Sequence, residues 1–175
     1  MRTGLLLKSI QGLGEYYTLI MKEITIVLIV LVSSFNCIAS DYYWVGGTGN
    51  WSDYSNHWAT TSGGNVFHTQ VPQSTDNVIF DANSFSAASQ TIAIDEVESF
   101  CNNMSWTGVT NMPTLASSSA SNNLNIYGSL TLSPNMNVIY NGNLSFEGDT
   151  TGNSINTGNL QLSSSITFNS PTGGW

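Results

Sequence analysis

The sequence predicts an all-β fold, either a parallel β-helix (a β-solenoid) or a β-sandwich, and three observations point there. No stretch after residue 40 places apolar residues at helical intervals with strong helix formers between them. Short β-branched or aromatic runs recur instead, bounded by Asn, Asp, Gly and Ser. Several of those runs share a repeat: Gly128-Ser-Leu-Thr-Leu132, Gly142-Asn-Leu-Ser-Phe146 and Gly158-Asn-Leu-Gln-Leu162 read glycine, small polar, leucine, polar, apolar.

Residues 1–20 are expected to be an upstream extension, with Met21 as the true start. Residues 21–40 read as a signal peptide: Lys22, an apolar run from Ile24 to Val32, then the small residues Ala39 and Ser40. The run is shorter than the about 20 residues a membrane span requires. Cleavage after Ala39 or Ser40 would release an exported chain starting near Asp41, with no membrane insertion afterwards. Cys37 follows Phe35 and Asn36, not a small residue, so lipidation is not expected.

What remains is chemically one-sided. Arg2, Lys8 and Lys22 are the only basic residues, all within the leader, while Asp41, Asp53, Asp76, Asp81, Asp95, Glu96, Glu98, Glu147 and Asp149 follow it. Nucleic-acid binding depends on cations that neutralise phosphates, so it is excluded as a function class. Attraction to anionic lipid fails for the same reason. Cys101 is the only cysteine after the leader; it has no partner for an internal disulfide and is expected to be a buried, inert thiol.

Residues 41–85 carry Trp44, Trp51 and Trp58 at a heptad-like spacing. Gly46, Gly47 and Gly49 lie among them and each opposes a helix by about 1 kcal/mol, so the tryptophans form no helical stripe. Strands are expected at 77–80 and 90–95, then at 124–128, 129–133, 137–142, 143–148, 159–163 and 165–169. Alternation such as Leu144-Ser145-Phe146 gives one packed and one solvated face. The glycine motifs recur at unequal spacings, but a longer register divides 128–152 and 153–174 into units in roughly the low twenties, a length suited to β-helix coils. Irregular short strands also suit a sandwich.

The ordered set Trp44-Val-Gly-Gly-Thr-Gly-Asn-Trp51, Trp58, Val71-Pro72 and Asp76-Asn-Val-Ile-Phe80-Asp81 resembles the opening of large secreted β-helical surface proteins of bacteria, including autotransporter passengers and adhesin-like proteins. It is most similar to the very long Bacteroidetes surface proteins exported by the type IX route. The resemblance spans most of residues 41–175. It implies a Trp/Gly-rich cap over 41–85 (Trp44, Gly46, Gly47, Gly49, Trp51 and Trp58), and the first solenoid coils over 86–175. Family members are far longer and carry a C-terminal sorting domain that this sequence lacks, so a truncated product is expected. The implied role is adhesive or structural, without catalysis or cofactor. Partners would be surface glycans or other cell-surface proteins.

The rival expectation is a secreted polysaccharide-binding module or the first part of a glycan-degrading β-helix enzyme. Its stacking candidates are Tyr42, Tyr43, Trp51 and Tyr54. Asp95, Glu96 and Glu98 form the densest acidic cluster, and Glu96 and Glu98 would share a strand face. Glycosidases need two carboxylates flanking a cleft, but a solvated edge is the expected role here. His57 and His68 lack the company a metal site needs. Asp149-Thr150-Thr151 looks like the O-glycosylation signal of exported Bacteroidetes proteins, with Thr150 as acceptor.

Overall fold

The computed structural model describes residues 16–18, 20–23 and 39–175. The expected upstream extension and signal peptide lie almost wholly outside the described residues. The fold set out here is that of the compact unit Ile38–Trp175.

The unit is all-β, built from three sheets whose strands pair in parallel, with one antiparallel exception. The first sheet holds β1 (Asp41–Trp44), β3 (Trp58–Ala59), β4 (Asn77–Ile79), β7 (Met104–Ser105), β10 (Leu130–Thr131) and β13 (Ile155–Asn156). The second holds β2 (Gly49–Asn50), β5 (Thr91–Ile94), β8 (Thr114–Ser117) and β11 (Asn137–Val138). The third holds β6 (Glu98–Cys101), β9 (Asn123–Ile126), β12 (Asn143–Phe146) and β14 (Ser165–Phe168). From β4 to β12 the chain visits the sheets in strict rotation, so each pass adds one strand to each sheet.

Two-residue strands such as β10 would not hold alone, because isolated pairings are marginal in water. Here β10 is flanked on both sides, with Leu130 opposite Met104 and Ile155. Equivalent side chains therefore stack in columns. Val78, Met104 and Leu130 form one inward column, Leu124, Leu144 and Ile166 another, and Ile126, Phe146 and Phe168 a third. The sequence alternation described above supplies these columns, because residues two apart share a face.

The corner leading into the first sheet is held by a polar ladder. Asn77 Oδ1 accepts from Asn103 Nδ2 at 2.9 Å, Asn103 Oδ1 accepts from the Ser129 amide at 2.6 Å, and Ser129 Oγ accepts from the Ser154 amide at 3.1 Å. Each of these bonds spans 25 or 26 residues, the offset between successive strands of the first sheet. The three glycine motifs do not mark that length. The motif at Gly128 enters β10 in the first sheet, and that at Gly142 enters β12 in the third. Residues 159–163, expected as a strand, are not one, although Leu160 and Leu162 still pack against the core.

The interior changes character along the stack. Trp44, Trp51, Trp58, Phe80, Phe85 and Trp106 fill the amino-terminal passes, and aliphatic side chains such as Leu124, Leu130 and Leu144 fill the later ones. At the far end β14 has every residue exposed.

Candidate functional site

The tryptophan block is built around the antiparallel pair of β1 and β3, which sets Trp44 opposite Trp58. All three indoles are completely buried, and Trp58 meets Trp44 and Trp51 edge-on at ring separations of 4.8 and 4.9 Å. Trp44 Nε1 donates to Gly47 O at 2.7 Å and Trp58 Nε1 to Trp51 O at 2.9 Å. Gly46 and Gly47 both take left-handed backbone angles, φ 83° and 78°, which other residues adopt only at a cost. Gly49 serves differently: a Cβ there would sit 2.1 Å from His57 Nε2. Its missing side chain makes the slot in which the His57 ring stacks flat on Trp44, 4.5 Å away and 3° from parallel. His57 comes from a one-turn helix, Tyr54–His57, and its Nδ1 lies 2.7 Å from Val45 O.

This arrangement corrects part of the expected stacking set. Trp51 is wholly buried and Tyr42 is 3% exposed, so neither offers a face to a sugar. Tyr42 stacks instead on His68, with ring centroids 3.5 Å apart. Tyr43 is half-buried, and Tyr54 is exposed beside the Asp53 carboxylate, which accepts from Asn56 Nδ2 at 2.9 and 3.0 Å. β4, inside the expected cap region 41–85, pairs with β1 on one side and β7 on the other.

The acidic cluster also separates. Asp95 is tied to the backbone and hydroxyl of Ser52, at 3.0 and 2.6 Å. Glu96 lies in the bend after β5, not on a strand, so it shares no strand face with Glu98. Burial, and then the neighbouring Asp95 charge, push the Glu96 carboxyl above its ordinary range.

A different constellation assembles on the outer face of the third sheet. Glu98 accepts from Asn123 Nδ2 and Asn125 Nδ2, both at 2.7 Å, across the β6–β9 pairing. Glu147, just past β12, accepts from Ser145 Oγ at 2.5 Å and Asn169 Nδ2 at 3.0 Å. Tyr127, 36% exposed, is influenced by both carboxylates: burial, then Glu147, then Glu98 hold its hydroxyl protonated to higher pH than usual. Two oriented carboxylates, amides from neighbouring passes and an open aromatic ring can accept and donate hydrogen bonds to a hydroxyl-rich ligand. Sequence reasoning missed Tyr127 and Glu147. The signal that finds them is the register of β9 and β12, which sets Ile126 opposite Phe146 and so brings the next residues, Tyr127 and Glu147, to equivalent positions.

Among the described residues, no group of three or more His, Cys, Asp or Glu could hold a metal ion. Cys101 is fully buried, and burial drives its thiol pKa far up. Thr150 is exposed in the turn after β12. Comparisons with family models, curated proteins and solved structures gave no match to the chain.

Proposed function

We propose that the chain is a β-solenoid whose first pass, closed by β3 and the tryptophan block, forms an amino-terminal cap, and that it works as an exported adhesive or structural module at the cell surface. The observation that carries this reading is the rotation of strands through three parallel sheets, with stacked inward columns and a polar corner ladder. A stack of this kind presents long, rigid outer walls and needs a closed end. The cation-free composition of residues 39–175 fits contact through hydroxyl and amide groups. The resemblance of the opening block to Bacteroidetes surface proteins supports a surface setting and a role without catalysis.

The test is retention and turnover measured together. Beads carrying the Ile38–Trp175 unit are passed over immobilised polysaccharides and surface proteins, and released reducing sugar is assayed in the same wells. Retention without product is expected. Product formation, or no retention on any surface, would overturn the proposal. A second reading, glycan binding by the outer face of the third sheet, is favoured by the amides of neighbouring passes that Glu98 and Glu147 bind there, with the partly exposed ring of Tyr127 just past β9. On that reading Tyr127→Ala alone abolishes retention on polysaccharide.

A further inference from the structure

Asp76 is a buried carboxylate held by backbone amides. It is 5% exposed and directly precedes β4. Its Oδ2 accepts the Gln73 amide at 2.9 Å, and its Oδ1 accepts the Ser40 amide at 3.0 Å, across 36 residues of chain. Residues 39–175 contain no lysine or arginine to pair with it. Both histidines are engaged elsewhere, with His57 Nδ1 2.7 Å from Val45 O and His68 Nε2 3.2 Å from Asp41 O. A buried charge is costly unless it is paired, and neutral amides pair it only in part.

The strand register fixes Ser40 at this carboxylate. β1 and β4 pair in parallel with Asp41 opposite Asn77, and the Asn77 amide donates to Ser40 O at 2.8 Å. Asn77 Nδ2 donates to Asp41 Oδ1 at 2.9 Å beside it. Ser40 is half-buried, while Ala39 before it is exposed. These two residues are also the alternative ends of the expected leader, and the alternatives differ for Asp76. A cut after Ser40 removes the residue whose amide and carbonyl make both bonds. A cut after Ala39 keeps both bonds and turns the Ser40 nitrogen from an amide into an amine. The local sequence agrees with the second. A cut after Ala39 has the small residues Cys37 and Ala39 at the third and first places before it, whereas a cut after Ser40 has Ile38 at the third.

We infer that the Ala39–Ser40 amide is the bond cut in processing, and that the α-ammonium group released there is the counter-ion of Asp76. Hydrolysis adds one water across the amide. Its oxygen goes to Ala39, which leaves as a carboxylate, and both its hydrogens go to the Ser40 nitrogen, which becomes an ammonium. That nitrogen already lies 3.0 Å from Asp76 Oδ1. The added charge converts a neutral donor into an ionic one, and charge-assisted bonds are roughly twice as strong as neutral ones. Processing thereby tightens the hold of β1 on β4, and an uncut chain has the weaker version of the same contact. The inference rests on the reading of the chain as exported and is independent of what its surface grips.

The full chain is expressed in a secreting bacterium and the exported product is weighed intact by mass spectrometry. A product starting at Ser40 is expected, and one starting at any other residue after a cut would overturn the inference. A chain that stays inside the cell uncut would instead refute the export reading beneath it. Residues 40–175 contain no lysine, so an amine-acylating reagent reports on the α-amine of the processed chain alone. Near neutral pH, acylation of the folded product should be about tenfold slower than in urea, and Asp76→Asn should restore most of the lost rate. Equal rates in the two states, or an Asp76→Asn protein as protected as its parent, would overturn the pairing. The acylated product gives a further measurement that needs no variant. At fixed urea its folded-to-unfolded ratio should be about tenfold below that of the free amine, and an unchanged ratio would refute the counter-ion.

Discussion

Replacing Gly49 with alanine is the sharpest probe of how the amino-terminal pass is held. The backbone there is not left-handed, so alanine meets no conformational barrier. Its methyl group does meet His57, with Nε2, Cδ2 and Cε1 at 2.1, 2.5 and 2.6 Å from the ideal Cβ. The ring cannot stay, and with it go the stack on Trp44 and the contact between Nδ1 and Val45 O. A stacked aromatic pair contributes about 0.5–1.5 kcal/mol, and a hydrogen bond about 1 kcal/mol net. Against this, alanine saves about 0.5–1 kcal/mol of chain entropy relative to glycine. The net expectation is a loss of about 0.5–2 kcal/mol. Urea unfolding of the unit at about 25 °C, followed by tryptophan emission, measures it. His57→Ala and the double variant complete a cycle. With the ring already gone, the methyl group at position 49 has room, so the double variant should be more stable than the sum of the singles predicts by about 1.5–2.5 kcal/mol. A Gly49→Ala protein as stable as its parent, or strictly additive changes, would refute the slot.

Three further outcomes are expected. Tyr140→Phe removes the hydroxyl that donates to Asn122 O at 2.6 Å with Asn143 O at 3.1 Å, and should cost about 1–3 kcal/mol by urea titration. Glu96 holds its proton more tightly folded than unfolded, so the stability it contributes is complete below its ordinary value of 4.5 and lost as pH rises through the raised one. Glu96→Gln should therefore unfold at higher urea than the parent at about pH 7, with the gap closing below about pH 4. Cys101 should resist a thiol reagent at about pH 8 and become labelled only as urea unfolds the chain; labelling in native buffer would contradict its burial.

Much of the fold could be read from the sequence where alternation was strong. β4, β5, β9, β12 and β14 lie within or largely overlap the runs expected from β-branched and aromatic residues. Of the two units of the longer register, 128–152 holds β10, β11 and β12, one for each sheet, while 153–174 holds only β13 and β14, with no strand of the second sheet. β6 to β8 were missed because their identity depends on neighbours: Met104-Ser105 is a strand only because Val78 and Leu130 flank it. Residues 159–163 show the opposite error. They alternate well, but alternation describes a face and not a pairing partner. The site was less legible. Burial of Tyr42 follows from the pairing of β1 with both β3 and β4, and that of Trp51 from the pairing of β2 with β5 and its packing on Trp58, none of which a local pattern announces. Glu98 and Glu147 reach their amide partners in the next pass only after the chain has gone around. Glycine was read as opposing a helix; in the fold Gly46 and Gly47 use their freedom to turn, and Gly49 leaves space for a ring.

The shift from indole and phenyl rings in the first passes to aliphatic side chains in the later ones gives the molecule a mechanical direction. Aromatic pairs add contact energy beyond the area they bury, and in a stacked architecture each layer is held chiefly by its neighbours. Tension applied at Trp175 is therefore expected to peel the chain one pass at a time at low force, with the tryptophan layers yielding last. Tension applied at Asp41 must break those layers first. Single-molecule pulling from the two ends should record a staircase in one geometry and a single high peak in the other. The end that bears the load would then decide whether the unit stretches or holds.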